Sequence, residues 1–351
     1  MTSDIHIRKE GRAGRITLTR PQALNAVSHE MCLAIETALD AWRDDAQVAL
    51  VLIDATGDKA FCAGGDIQRL YETGRAGDYG PARRFWADEY RMNAKIARYP
   101  KPYVALMQGY VMGGGVGIAC HGAHRVVCES TQVAMPECGI GLVPDVGGSW
   151  LLSRAPGRAG AYLGITGARM GPADAIFAGF ADIYVPKAMW PGLTRALVET
   201  GDPGVIAAQA ETPPEGRLPA LASEIDALFG GETIGDILAS LRAAESDLAR
   251  DALAAMTRNA PLSMGCTLEI LRRLRAPGAD IARALHLEYR FTYRAIETGE
   301  FLEGIRAAII DRDRTPHWQH RLDDLPQEAV DRMLSPLGPD APTLEEEETP
   351  Q

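Results

Sequence analysis

Three glycine-rich segments carry groups that can do chemistry. In Phe61-Cys62-Ala63-Gly64-Gly65-Asp66 two adjacent glycines follow an apolar run. Glycine lets a backbone turn tightly and present N–H groups to a ligand, although an ordinary turn needs nothing more. In the stretch 112–117, Met-Gly-Gly-Gly-Val-Gly, a helix that opens on glycines leaves unpaired N–H donors at its positive end. That setting favours negative charge, and a developing oxyanion on a thioester carbonyl is one candidate. Close helix–strand packing also selects glycine. A dinucleotide fingerprint is not present, because Ile118 stands where the last glycine of G-x-G-x-x-G belongs. The third segment, 135–148, sets Glu137 and Asp145 among apolar residues and glycines. Carboxylates in an apolar wall have raised pKa values and can act as acid, base or nucleophile. Each could instead cap a helix or turn, a use that suits Asp145 ahead of Val146-Gly147-Gly148.

The elements that must position these groups follow from periodicity. Residues 15–20 alternate apolar and polar as a half-buried strand does, and Pro21 ends it. Ser28 is a helix N-cap, and Met31, Ile35, Leu39 and Trp42 then form one helical stripe. The apolar run 48–53 reads as a strand buried on both faces. A helix over 81–97 is broken at Lys101-Pro102, and Tyr103–Met107 is a strand. A helix begins inside the glycine run and ends near Gly122. Arg125–Cys128 and Gln132–Ala134 are short strands, and another helix starts at Trp150. After about residue 187 strand signals fade, and helical sequence fills 191–209, 217–229, 234–256 and 262–275. The organisation is therefore a core over 1–187, a mainly helical region over 188–334, and a tail over 335–351. The tail holds Pro336, Pro339, Pro342, Pro350 and the run Glu345–Glu348, a composition of a frayed acidic end.

Bulk composition narrows the function. Hydrophobic residues make up 46% and charged residues 24%, ordinary globular values for a chain of 351 residues. A net charge of −11 with no basic stripe argues against nucleic acid as a partner. No apolar run reaches the ~20 residues of a membrane span, so no membrane partner is expected. The six cysteines show no C-x-x-C pair, which fits free thiols in a reducing cytoplasm. No charged-then-apolar leader opens the sequence, and a cytoplasmic location is the expectation. His121 and His124 lack a third ligand at metal spacing, so no metal is expected. The absence of G-x-S-x-G leaves a serine-elbow thioesterase unsupported.

Together the glycine and carboxylate segments resemble the crotonase (enoyl-CoA hydratase/isomerase) superfamily. The resemblance implies an α/β fold, a crotonase-like spiral of repeated strand–strand–helix units followed by a C-terminal helical region. It also implies that the N–H groups of Gly65 and Gly114 form an oxyanion hole for a thioester oxygen. Backbone near Ala63 and Asp66, with Leu24 and Ala26 of the 20–26 stretch, would border the adenine end of coenzyme A. Hydratases of the superfamily hold water with two glutamates. The first position is Gly117 here, which cannot polarise water, whereas the second is Glu137. With Asp145, the pattern A-M-P-E…I-G-L-x-P-D-V-G-G is similar to the 3-hydroxyisobutyryl-CoA hydrolases. Asp88-Glu89-Tyr90-Arg91-Met92-Asn93 resembles that family's E-E-Y-x-x-N helix and implies a substrate contact for Glu89. The stretch 301–318 resembles its F-x-E-G-x-R-A…D-K-D-x-x-P-x-W ending, with Glu300 and Arg312 as charge-conserving departures.

The resemblance implies hydrolysis of a short 3-hydroxyacyl-CoA, as in valine breakdown, with Glu137 as nucleophile or general base. Asp145 would bind the substrate hydroxyl or assist proton transfer. No cofactor is implied beyond the coenzyme A that the substrate brings, and the superfamily's assemblies imply a homo-oligomer, a trimer or hexamer. A hydratase or isomerase on the same fold, and a non-catalytic acyl-CoA-binding relative, are the competing readings.

Overall fold

A computed structural model describes residues 4–344. Its strands are β1 (Ile5–Glu10), β2 (Ala13–Leu18), β3 (Leu50–Ala55), β4 (Ala60–Cys62), β5 (Tyr103–Met107), β6 (Tyr110–Met112), β7 (His124–Val127), β8 (Gln132–Ala134) and β9 (Ile183–Tyr184). Through residue 177 the helices are α1 (His29–Arg43), α2 (Gln68–Arg75), α3 (Gly80–Ala97), α4 (Gly114–Ala119), α5 (Gly148–Arg154), α6 (Ala159–Thr166) and α7 (Pro172–Phe177).

Successive strands are dealt to two sheets. β1-β2-β3-β5-β7-β9 form a six-stranded sheet and β4-β6-β8 a three-stranded one. β1 pairs antiparallel with β2, and every later ladder is parallel. Each turn of the chain thus lays one strand in each sheet and returns through a helix. This is the expected spiral of strand–strand–helix units.

Sequence alone places the larger sheet's centre correctly. Leu50, Leu52, Val104, Leu106 and Val126 face one side, where Trp190, Leu193 and Leu197 cover them. Val51, Ile53, Ala105, Met107 and Val127 face the other side and the main core. An unbroken apolar run is the pattern of a strand covered on both faces. Ser28 caps α1, its hydroxyl accepting from the Met31 N–H at 3.2 Å.

Beyond β9 the described chain is helical: α8 (Trp190–Thr200), α9 (Leu218–Leu228), α10 (Ile234–Ala243), α11 (Asp247–Arg258), α12 (Pro261–Leu274), α13 (Ile281–Ala295), α14 (Phe301–Ile305) and α15 (Gln327–Met333). The helical sequence expected over 234–256 is divided between two helices, α10 and α11. Ser246 starts the second by accepting from the Ala249 N–H at 3.1 Å, so the chain turns at 244–246. α12 packs on α5 and α6, and α13 packs on α3 and α5. The expected tail is packed for part of its length: Arg294 donates to the carbonyls of Ser335 and Pro336, and Leu344 is buried. The Glu345–Glu348 run lies outside the described residues.

Candidate active site

The ends of β4 and β6 deliver two loops to one point. After β4 the backbone passes through Gly64 at φ +122°, and after β6 through Gly113 at φ +48°. Side chains rarely tolerate either conformation, so glycine is required at both. Gly113 is needed for space as well: a Cβ there would stand 2.7 Å from Glu137 Oε1. The turns bring Gly65 beside Gly114, where a Cβ on Gly114 would lie 3.3 Å from the Gly65 nitrogen. Neither amide N–H has a hydrogen-bond acceptor among the described residues. Gly114 opens α4, so its N–H also stands at the positive end of that helix.

The two glycines line a cavity of about 240 Å³ that also receives Glu89, Glu137 and Asp145. Glu89 projects from α3, Glu137 begins a short 3-10 turn after β8, and Asp145 precedes α5. Their exposures are 3%, 5% and 4%. Apolar Ile67, Phe85, Trp86, Leu142 and Val146 share the wall. Oε2 of Glu137 and Oε1 of Glu89 are buried without a hydrogen-bond partner. Such orphaned oxygens cost stability unless a partner, such as a ligand, completes them.

Burial raises all three carboxyls. Glu89 is held well above the usual carboxylate range by desolvation and then by the charge of Asp145. Glu137 is raised by desolvation, then by Asp145, with Glu288 and Glu89 adding smaller repulsions. Asp145 is pushed up to about 7 by desolvation, against which the Tyr90 hydroxyl works. Three carboxyls in one apolar cavity titrate as a coupled set and do not all ionise together at neutral pH.

Asp145 does not cap α5 with its side chain. Its Oδ2 accepts from the Tyr90 hydroxyl at 2.7 Å. The capping role falls to Glu288 on α13, whose carboxylate accepts from the Gly147 N–H at 2.8 Å and the Ser149 N–H at 3.1 Å. Sequence reading missed Glu288 and gave no role to Tyr90. The signal for Glu288 was present: on α13, Ile281, Ala284, Leu285, Phe291 and Ala295 are a buried apolar stripe, and Glu288 lies within it fully buried. A charge in a core stripe needs partners, and here they come from the turn beside Asp145.

Gly117 is a glycine because its space is taken. A Cβ there would meet Asn93 Nδ2 at 2.7 Å and Val146 Cβ at 2.8 Å. A glutamate at this position has nowhere to go.

The residues expected around coenzyme A are stitched together by the backbone. Ala63 N–H donates to Leu24 O at 3.0 Å, and Arg20 Nη1 bonds Asp66 Oδ2 at 2.7 Å and Ala26 O at 3.4 Å. Asn25, buried at φ +55°, fixes the loop by donating to the carbonyls of Thr56 and Ala60. Ala63 lines the cavity that holds Glu89, Glu137 and Asp145. Asp66 lines a second cavity of about 660 Å³ that shares Phe85 with the first and carries Arg20, Arg69 and Arg84. Those guanidinium groups suit an anionic ligand. Among the described residues no group of His, Cys, Asp and Glu has the arrangement of a metal site. His121 Nε2 instead meets Val146 O at 2.7 Å. No described helix is long and apolar enough to cross a membrane.

Paired amides, a buried carboxyl set and an adjoining cleft that mixes Arg20, Arg69 and Arg84 with Asp4, Glu30 and Asp66 on this spiral fit an acyl-thioester-handling site of the crotonase type. Residues 13–334 match the profile of the Enoyl-CoA hydratase/isomerase family. The 3-hydroxyisobutyryl-CoA hydrolase, mitochondrial, of Gallus gallus is 36% identical over 96% of this chain and 90% of its own length. The Homo sapiens protein of the same name is 34% identical over 95% of this chain and 89% of its own. A solved structure titled an enoyl-CoA hydratase from Rhodobacter sphaeroides is 56% identical with a TM-score of 0.93, covering 97% of this chain and all of its own. Another, titled a carnitinyl-CoA dehydratase from Mycobacterium thermoresistibile, is 41% identical with a TM-score of 0.93 and covers 99% of this chain and 100% of its own. The chain belongs to the enoyl-CoA hydratase/isomerase family and, within it, to the 3-hydroxyisobutyryl-CoA hydrolases.

Proposed function

We propose that this protein hydrolyses a short 3-hydroxyacyl-CoA thioester, converting 3-hydroxyisobutyryl-CoA to 3-hydroxyisobutyrate and coenzyme A. The observation that carries the reading is the pairing of two acceptor-free amides, Gly65 and Gly114, with an unpartnered Glu137 oxygen in one buried cavity. The amides receive the thioester oxygen as negative charge develops on it; losing one such donor costs ~3–4 kcal/mol of transition-state stabilisation.

Glu137 has two routes. As nucleophile, its carboxylate oxygen bonds to the carbonyl carbon, the C–S bond breaks, and the coenzyme A thiolate leaves and takes up a proton. Water then opens the mixed anhydride and restores the carboxylate. As general base, it takes a proton from a water molecule whose oxygen attacks the same carbon, and returns that proton to the leaving thiolate. Asp145 receives the substrate hydroxyl or relays a proton, and Glu89 orients the acyl end. The cleft with Arg20, Asp66, Arg69 and Arg84 accepts the phosphates of coenzyme A, and Leu24, Ala26 and Ala63 border the adenine end. The coenzyme arrives with the substrate, and the chemistry needs no other cofactor.

Hydration is the second reading, and the names given to the Rhodobacter sphaeroides and Mycobacterium thermoresistibile structures favour it. It needs a second carboxylate on the attacking water. Asn93 and Val146 fill the space at Gly117, so a hydratase would have to recruit Asp145 or Glu89 from elsewhere in the cavity. Parallel assays separate the two: thiol release from 3-hydroxyisobutyryl-CoA, and loss of the enoyl absorbance of crotonyl-CoA. The expected result is rapid thiol release with little hydration; the reverse pattern overturns the hydrolase reading. All six cysteines are free and buried, which suits a reducing compartment such as the cytoplasm. The vertebrate relatives are named as mitochondrial, so fractionation of native cells is the test of location.

A further inference from the structure

Asp145 sits on a backbone that does not hold its own shape. Val146 follows it at φ +54° and Gly147 at φ +78°. A branched residue in the left-handed region is strained and persists only where its surroundings impose it. Two groups grip this turn from outside. Glu288 accepts from the N–H groups of Gly147 and Ser149 and from the Ser149 hydroxyl. His121 Nε2 meets the Val146 carbonyl at 2.7 Å. The side chain is held separately, by the Tyr90 hydroxyl on Oδ2 at 2.7 Å.

The two grips are linked. Tyr90 follows Glu89 on α3, Tyr289 follows Glu288 on α13, and the two tyrosine rings meet edge-on with centroids 6.0 Å apart. Tyr90 and Glu288 are both fully buried. We infer that Tyr90 and Glu288 are positioning residues for Asp145: Glu288 imposes the strained turn, and Tyr90 fixes the carboxylate that the turn carries. Neither touches the reacting atoms. The inference rests on Asp145 acting as an ionised carboxylate in the reaction proposed above.

The chemistry is one-directional. A phenol that donates to a carboxylate favours its charged form. The other titratable groups around Asp145 and its turn are Glu89 on α3, Glu137 on the 3-10 turn, Glu288 on α13 and, at the Val146 carbonyl, His121 after α4. Burial opposes its ionisation, and the Tyr90 hydroxyl is the side chain that works against that burial. Loss of the hydroxyl therefore moves Asp145 toward its protonated form, and the acid limb of the rate profile moves to higher pH.

Tyr90→Phe keeps the ring and removes the donor; Glu288→Gln keeps shape and replaces one of the two accepting oxygens with an N–H₂ group. Each is measured by kcat and KM across pH, alone and combined with Asp145→Asn. The expected result for each single variant is a fall in kcat of about 10- to 100-fold. KM stays within about threefold, the pattern of a lost transition-state interaction. The acid limb of Tyr90→Phe rises, and both variants change the residual rate of Asp145→Asn by less than about twofold, because residues that act through one another are not additive. A purely structural role would lower activity equally in both backgrounds, and that result overturns the inference. So does a folded Tyr90→Phe enzyme with unaltered kcat and acid limb. If Tyr90→Phe yields no folded protein, Glu288→Gln carries the test through the same two backgrounds. A fully active Asp145→Asn enzyme sinks the role of Asp145 itself, an outcome distinct from inert positioning variants.

Discussion

At the scale of single residues, the site joins exposed need to buried charge. Glu137 shares one cavity with two unpartnered amides and keeps one oxygen unpartnered there, and burial lifts its pKa. A raised carboxyl is protonated until the pH exceeds its shifted value. The sign for activity follows: the rate rises with pH, along a limb lying above the usual carboxylate range, as Glu137 and Asp145 ionise. A kcat profile that is flat from about pH 5 upward contradicts the burial argument. Gly113 adds a second residue-scale expectation. A methyl there meets Glu137 Oε1 at 2.7 Å and must adopt φ +48°, so Gly113→Ala displaces the carboxylate. Strain of this kind costs about 1–3 kcal/mol, and kcat falls further than stability does. Chemical denaturation beside steady-state kinetics makes the comparison.

At the scale of elements, much of the site was legible and some was not, for definable reasons. β3 and β5 announce themselves because continuous apolar runs have few other uses, and α1 because Ser28 and a four-residue stripe coincide. The loops holding Gly65, Gly114, Glu137 and Asp145 could be read because glycine and carboxylate types are rare in such company. β4 and β6, which aim two of those loops, were invisible as strands: three residues each carry no periodicity. Glu288 was legible as a misfit in a buried stripe, but its partners lie 139 and 141 residues away, and only the fold discloses which turn it holds. The junction of α3, α4 and the Asp145 turn yields a further expectation. Gly117→Glu does not create a hydratase, because Asn93 and Val146 occupy the space. Overpacking costs about 1–3 kcal/mol or more, and the variant shows a lower thermal midpoint with no gain in crotonyl-CoA hydration.

At the scale of the whole molecule, the C-terminal region reaches the candidate site, since α13 packs on α3 and α5 and carries Glu288 to the turn after Asp145. The buried carboxyls are also a stability burden. Asp145 and Glu288 are raised to about 7 and about 8, so the native state retains protons that the unfolded chain has released above ~4. Where the folded state binds more protons, stability falls as pH rises through that window. Asp145→Asn removes one such group. It stabilises the fold by about 1–3 kcal/mol at pH 8, an advantage that fades as pH drops toward ~4, while activity is lost. Thermal midpoints at several pH values provide the check.

The most direct test of the account is thiol release from 3-hydroxyisobutyryl-CoA by Glu137→Gln, with folding verified by circular dichroism. The substitution keeps the side chain's shape and removes both its nucleophilicity and its basicity. Loss of kcat by ~10²–10⁴-fold in a folded enzyme is the predicted result. Undiminished thiol release would contradict the claim that this buried carboxyl, facing the Gly65 and Gly114 amides, does the chemistry.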